Sequence, residues 1–463
     1  MKIKAIVTAV AATALGTTAF AAGSMNDQVN QGGGIVNVRI DAAYSAQMLD
    51  NQTLTGNAVN ILKSRASGDL APNAIYIGGK GELYFSYAHA GSLPSASAAI
   101  YGQNAGTGGS YVGSKTIGSG AVAGSAKNGS TTAINLPYAD VAFTSTIGKW
   151  VTGFADFQVN NQSTSDVVMP NAYFMVGNLT ESPFYFVGGK KVVDFGNFDS
   201  VTNFMPTLTR AYFMEYGGQV AVGFSKNGLN LTASLLDGKG ASNLNSYSSS
   251  DNQVNDFALN ALYNGMFGNI GYHAGAGYTN ATGFLNDSGN MIGAFDLNAG
   301  VKFQGLSVNG EFLMTAGGVH SMATNSAYSN SVNYATTGNN ASLGLNDSAG
   351  WRAFGFNALA ALIPFGDQNA ADYNGSSSSS VKAWSLDGSY TLPVAGKDMV
   401  PYLSYSQASQ DSDNDIYQFE VGTRYNIIDT IWLGAAYNYT SGKSAGTSIG
   451  KFNSVLVDAT AYF

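Results

Sequence analysis

The sequence predicts an all-β fold: a transmembrane antiparallel β-barrel of about 16 strands, with short periplasmic turns and long outer loops. Three observations predict it. A secretion signal opens the chain, and no later apolar run reaches the roughly 18 residues a helical span needs. Segments of about ten residues alternate apolar and polar side chains, the length a tilted strand needs to cross a bilayer. The chain ends on such a segment with an aromatic residue, Phe463.

At the N-terminus, Met1-Lys2-Ile3-Lys4 supplies positive charge and Ala5 to Phe20 an apolar stretch. Ala19-Phe20-Ala21 supplies a small-x-small cleavage site, so residues 1–21 are predicted to be a signal peptide cut near Ala21. The formal charge of −8 becomes more negative once Lys2 and Lys4 leave, which argues against a nucleic-acid partner. There is no cysteine, hence no disulfide, thiolate nucleophile or cysteine-held metal. Residues 22–73 are expected to form a periplasmic or lumen-occupying segment, and residues 74–463 the barrel.

Composition supports the class. The chain carries 58 Gly, 26 Tyr and 25 Phe but 9 Pro, and charged residues make up 11% against an ordinary value of about 25%. An aromatic, Gly-rich, charge-poor secreted chain suits a barrel with lipid outside and a polar lumen inside.

Period-2 alternation marks the strands. Leu229, Leu231, Ala233 and Leu235 interleave with Asn230, Thr232 and Ser234, and Phe295, Leu297, Ala299 and Val301 with Asp296 and Asn298. Similar patterns run from Phe257 to Tyr263, Tyr417 to Tyr425 and Ile431 to Tyr439. The final strand places Val455, Val457, Ala459 and Ala461 on the lipid face, and Asp458 and Thr460 on the other. Tight turns are predicted near Gly148-Lys149, Thr180-Glu181, Asn227-Gly228, Gly268, Gln304-Gly305, Pro393–Gly396 and Ile428-Asp429. Between them lie longer polar stretches, among them 89–133, 194–210, 238–253 and 316–379. Counting back from Phe463 at the periplasm gives 16 strands, the first at about Ala74–Ala88. Adding the strand-like segments Ile35–Gln47 and Ala353–Pro364 gives 18, but exposes a two-residue turn outward and a long loop to the periplasm. Sixteen is therefore preferred.

Several stretches resemble the LbtU-like siderophore porins of Gram-negative bacteria. Gly177-Asn178-Leu179-Thr180-Glu181-Ser182-Pro183-Phe184-Tyr185, Gly189-Lys190 and Phe195-Gly196-Asn197-Phe198 resemble that family's hairpin and following loop. Pro206–Arg210, Tyr212–Gly223, Asn60–Arg65 and Ile77–Gly81 resemble its neighbouring segments. The family's N-terminal coiled-coil stretch is not evident, and its acidic pair after residues 206–210 is reduced to Glu215. The resemblance implies uptake of ferric siderophores.

Charges inside a barrel are expected to face the lumen, because lipid-side charges are costly. The pore-lining candidates are Asp140, Asp156, Lys190, Asp296, Lys302, Glu311, Asp387, Glu420 and Arg424. The apolar run from Phe354 to Phe365 within loop 316–379 is expected to fold inward as a constriction. Its candidate residues are Arg352, Phe354, Phe356, Phe365 and Lys382. Asp411–Asp415 is acidic but lacks the glycine turn and distal glutamate of a calcium loop. His89, His273 and His320 show no ligand spacing. No metal or cofactor is expected. The chain also lacks a nucleophile with a positioned base, so it is not expected to be an enzyme.

The expected function is an outer-membrane, porin-type channel for small hydrophilic solutes, with ferric siderophore uptake implied by the resemblance. A general diffusion porin or major surface protein, and an adhesin or structural barrel, are the alternatives. Expected partners are outer-membrane lipid, the barrel-assembly machinery acting through the Phe463 strand, and the solute; a homo-oligomer is left open.

Overall fold

The computed structural model describes residues 37–40, 42–50, 55–90, 129–135, 138–160, 167–202, 207–237, 254–280, 282, 284–285, 291–319, 321–322, 379–410, 414–444 and 447–463. The signal peptide, most of the outer loops, and the predicted constriction residues Arg352, Phe354, Phe356 and Phe365 lie outside these residues.

Sixteen strands close into an antiparallel barrel. The wall starts with β2 (Ala74–Ala90), its neighbour in two pieces, β3 (Gly129–Asn135) and β4 (Tyr138–Ile147), and β5 (Val151–Asn160). Next come β6 (Val167–Val168) with β7 (Ala172–Gly177), β8 (Phe184–Val192), β9 (Tyr216–Lys226) and β10 (Leu229–Asp237). It continues through β11 (Val254–Phe267), β12 (Ile270–Thr279), β14 (Ala294–Phe303) and β15 (Leu306–Thr315). The last members are β17 (Lys382–Tyr390) with β18 (Leu392–Val394), β19 (Lys397–Ser409), β20 (Asp415–Ile428), β21 (Ile431–Ser444) and β22 (Thr447–Tyr462). Two-residue strands β13 (Phe284–Leu285) and β16 (Ser321–Met322) pair outside the wall.

Alternation turns into two faces. In β22, Val455 and Val457 are about half exposed, whereas Ser454, Leu456, Asp458 and Thr460 are buried. The exposed set, with Leu83, Phe85, Leu231, Leu259, Leu297 and Leu433 elsewhere, forms an apolar outer belt. Such a belt is costly in water and stable in lipid.

Hairpin turns set the register. At Asn227-Gly228, Gln304-Gly305 and Ala395-Gly396 both central residues have positive φ, from 47° to 87°. That backbone matches the twist of the flanking strands. These turns, with those at 148–150 and 429–430, sit at the predicted positions.

Closure joins the ends of the barrel. β22 pairs β2 from Lys80↔Tyr462 to Ala90↔Phe452. One residue further, Phe463 donates its N–H to Gly79 O (3.0 Å) and accepts the Gly79 N–H (2.8 Å). The Phe463 ring lies over Gly79, where an added Cβ would come within 1.9 Å of it.

Residues ahead of the barrel do not join its wall as a crossing strand. The strand-like segment 35–47 resolves instead into β1 (Asn37–Ile40) and the start of helix α1 (Ala42–Asp50). β1 pairs parallel to the first residues of β2, Asn37↔Ala74 to Ile40↔Ile77. Helix α2 (Asn57–Ser67) follows and ends on Gly68 at φ 90°. Met48, Leu49, Val59, Ile61 and Leu62 pack against Tyr76, Phe154, Tyr173, Met175 and Tyr185, which belong to the inward face of β2 to β8. Both helices thus occupy the lumen. The part of the inner wall they cover is largely apolar, with Thr144 and Thr152 as polar anchor points within it.

Candidate functional site

The lumen is shaped by two inserts, the N-terminal helices and the connection 193–215 between β8 and β9. The connection's described residues, 193–202 and 207–215, do not extend outward. Val193, Phe195, Phe198, Leu208, Tyr212, Phe213 and Met214 are buried in the same cluster as Leu313, Ala383, Tyr402 and Ala408, from strands β15, β17 and β19. A chain of aromatic residues cannot remain in water cheaply, and here the lumen receives it.

Polar contacts pin the connection at both ends. Asn197 N–H and Phe198 N–H donate to Glu311 Oε1 of β15, at 2.9 and 3.0 Å. Gly196 (φ 74°) and Phe198 (φ 52°) adopt the left-handed conformation there. Gly196 O accepts from Thr55 Oγ1 of the N-terminal segment (2.8 Å) and from Asn260 Nδ2 of β11 (3.0 Å). The other end forms helix α3 (Leu208–Phe213), capped by Thr207. Leu208 N–H donates to Ser406 Oγ (3.1 Å), and the Thr209 and Ser385 hydroxyls meet at 3.3 Å. The connection therefore runs from one wall of the lumen to strands on another, and narrows it.

The helices are held as firmly. Arg65 reaches the periplasmic turn, donating to Gly148 O (2.8 Å), Val151 O (3.0 Å) and Thr152 Oγ1 (2.6 Å). Asn57 Nδ2 donates to the Tyr173 hydroxyl (3.1 Å), and the Tyr44 hydroxyl to Thr144 Oγ1 (3.1 Å). Burial pushes the Tyr44 phenol up to about 12, because its anion would lie among apolar groups. At the periplasmic rim the Lys397 ammonium, 2.7 Å from Asp429, holds that carboxyl below its ordinary range.

Most of the predicted pore-lining residues fall on the inward register. Asp156 serves the wall itself: its carboxylate takes the N–H and side-chain amide of Asn171, at 2.7 and 2.8 Å, where β6 bends into β7. Asp140 is buried on the same face. Glu420 accepts the Tyr402 hydroxyl (2.8 Å), and Arg424 lies over the Trp432 ring at 5.1 Å. Asp296 accepts the Asn298 amide (2.6 Å), Glu311 holds the connection, and Asp387 accepts the Val201 N–H. Lys302 lies on the same face as Asp296, nearer the periplasmic turn, and is exposed.

Two predicted residues are corrected. Lys190 pairs with Ala172 and Gly218 on the outer register. The inward charge is Lys191, buried and 2.5 Å from Asp194, whose other oxygen accepts from Ser234 (2.8 Å). Counting by twos from the inward Tyr185 and Val187 reaches Lys191, and the pairing runs through Gly189 without a register shift. Lys382 shares the exposed face of Trp384 and Leu386, and so does not line the lumen.

Sequence reasoning missed the connection 193–215, reading residues 194–210 as a polar outer loop. The available signal was the density of Phe195, Phe198, Leu208, Tyr212, Phe213 and Met214 in a stretch without strand alternation.

No family model and no curated protein matches the chain. Among solved structures, the outer membrane channel DcaP of Acinetobacter baumannii is similar with a TM-score of 0.50 and 12% identity, over 84% of this chain and 97% of that one. An anion-selective porin from Comamonas acidovorans has a TM-score of 0.48 and 9% identity, over 84% and 99%. Salmonella typhi OmpF, in complex with daunomycin, has a TM-score of 0.48 and 11% identity, over 84% and 97%. The likeness to DcaP establishes the shared barrel fold. The siderophore-porin family implied by the hairpin motif is not confirmed by these matches.

Proposed function

We infer that the protein is a porin-type channel of an outer membrane, passing small hydrophilic solutes through a narrowed lumen. The observation that carries this reading is the connection 193–215, folded into a closed barrel and fixed to the opposite wall by Glu311, Ser385 and Ser406. A barrel that served only as a surface scaffold would gain nothing from a polar inner wall with a tethered insert across it. The cargo suggested by the Gly177–Phe198 motif is a ferric siderophore. Support for a selective channel over a wide diffusion pore comes from the two lumen-filling helices. The Phe463 strand, closing the seam against Gly79, is the end offered to the assembly machinery.

Purified protein in planar bilayers should show discrete conductance steps. Cells lacking it should grow more slowly when a ferric siderophore is their sole iron source. Steps without the growth defect would favour a general porin, and no steps would favour the adhesin reading.

A further inference from the structure

We propose that the outer face of β8 to β12 binds one anionic phospholipid of the periplasmic leaflet, with an acyl tail in an oblique groove and the headgroup phosphate at Lys226. This goes beyond the channel reading and holds whatever the lumen passes.

The groove is a recess of about 510 Å³ in the apolar belt. Two neighbouring rows of outward side chains make its walls, each step a pairing between adjacent strands. One row runs Phe184–Phe224–Leu231–Ala261–Ala276. The other runs alongside it from Val222 through Ala233 and Leu259 to Tyr278. Large side chains give way to alanines along both rows, which opens the recess. Its direction follows from the register. Phe184 opens β8 beside the hairpin Thr180-Glu181, and Phe224 stands just before the turn Asn227-Gly228. Ala261 and Ala276 pair in the middle of β11 and β12, well away from the turn at Gly268. The groove therefore starts at the periplasmic interface and climbs into the bilayer, the course of a lipid tail.

At its low end stands Lys226. It shares the outward register of Val222 and Phe224, is exposed, and makes no ion pair with the described residues. The acid of the neighbouring hairpin, Glu181, lies 3.7 Å from Lys149 instead. An uncompensated ammonium at the membrane surface attracts a net-negative headgroup. A zwitterionic headgroup brings its own ammonium and gains less.

A second copy of the barrel is the rival occupant. Its convex wall would bridge the two rows rather than fill the recess, and the void left would forfeit contacts. Lipid tails are as apolar as leucine, so hydrophobicity alone does not retain one lipid here. Retention comes from chain packing in the recess and from the charge at its end, which mutation can separate.

The test is native mass spectrometry of the full-length protein, equilibrated in detergent with equal amounts of dioleoyl phosphatidylglycerol and dioleoyl phosphatidylcholine. One phosphatidylglycerol should stay bound per barrel, favoured about fivefold or more over phosphatidylcholine. Lys226→Gln, at the exposed end of β9, should bring that ratio toward about one. Ala261→Phe fills the recess from the lipid side and should lower retention of both lipids. Should that variant fail to give a heat-modifiable barrel, Ala276→Leu on the next strand makes the same test. No retained lipid in the wild type, or equal retention of the two, overturns the proposal. Retention and preference unchanged in the folded variants overturn the assignment to this groove. A dimer or trimer that comes apart on Ala261→Phe, with lipid retention unchanged, overturns it too and gives the groove to a second copy.

Discussion

Replacing Glu311 with Ala should free the connection 193–215 and make the channel larger and noisier. The side chain accepts two backbone N–H groups on one oxygen, a buried one from Phe198 and a part-buried one from Asn197. A buried donor left without a partner costs about 1–3 kcal/mol, and the second, closer to water, costs less. The sum is about 2–4 kcal/mol. At about 1.4 kcal/mol per tenfold, the population of the detached connection rises roughly thirty- to several-hundredfold. Glu311→Gln keeps a neutral acceptor and should recover much of that loss. Single-channel recordings should show long-lived higher-conductance levels in Glu311→Ala, and fewer in Glu311→Gln. A folded Glu311→Ala channel with wild-type conductance and noise would refute the tethering argument. The contacts of Leu208 and Thr209 would then hold the connection unaided.

Further expectations concern the inserts and the seam. Arg65→Ala removes three hydrogen bonds to the periplasmic turn, so limited proteolysis should cut between residues 42 and 73 faster than in the wild type while the barrel stays intact. Tyr44 has its phenol raised by burial, so its contribution is present below the ordinary phenol range and is lost as pH rises through about 12. Protease sensitivity of the helices should therefore increase between about pH 10 and 12, and Tyr44→Phe should blunt that rise. Deleting Phe463 removes the paired hydrogen bonds and the ring over Gly79, and should lower the yield of heat-modifiable barrel more than the conductance of what assembles. Single cysteines at Lys149, Asn227 and Asp429 should escape an impermeant thiol reagent in intact cells and react after the envelope is opened.

The barrel was legible because its physics is local. Most wall strands alternate, and left-handed pairs such as Asn227-Gly228 announce their hairpins directly. The interior was not legible in the same way. Phe195, Phe198 and Tyr212 obey no strand period, and where they go depends on whether a cavity elsewhere can take them. The inner wall beneath α1 and α2 hid for a related reason. Tyr173 and Tyr185 face inward on strands whose outer face is also apolar, so alternation there is weak and a docking patch looks like ordinary strand. Lys190 and Lys191 show a third limit: two adjacent lysines straddle the two faces, and only the register carried from Tyr185 and Val187 through Gly188-Gly189 tells which one points inward.

The short strand β1 lies on the edge of β2 that also receives β22, immediately past the point where Phe463 ends. Geometry then dictates a sequence of events. Once β22 has zipped onto β2 the cylinder is sealed, and the two helices would have to enter through the periplasmic mouth, where Arg65 holds the turn at Gly148. An N-terminal segment that already lies against β2 to β8 while the sheet is open avoids that insertion. β1 guards the start of that edge and leaves residues 79–90 vacant for the last strand to arrive. The segment that precedes the barrel in sequence would thus also precede it in time, acting as the mould around which the first half of the sheet curls.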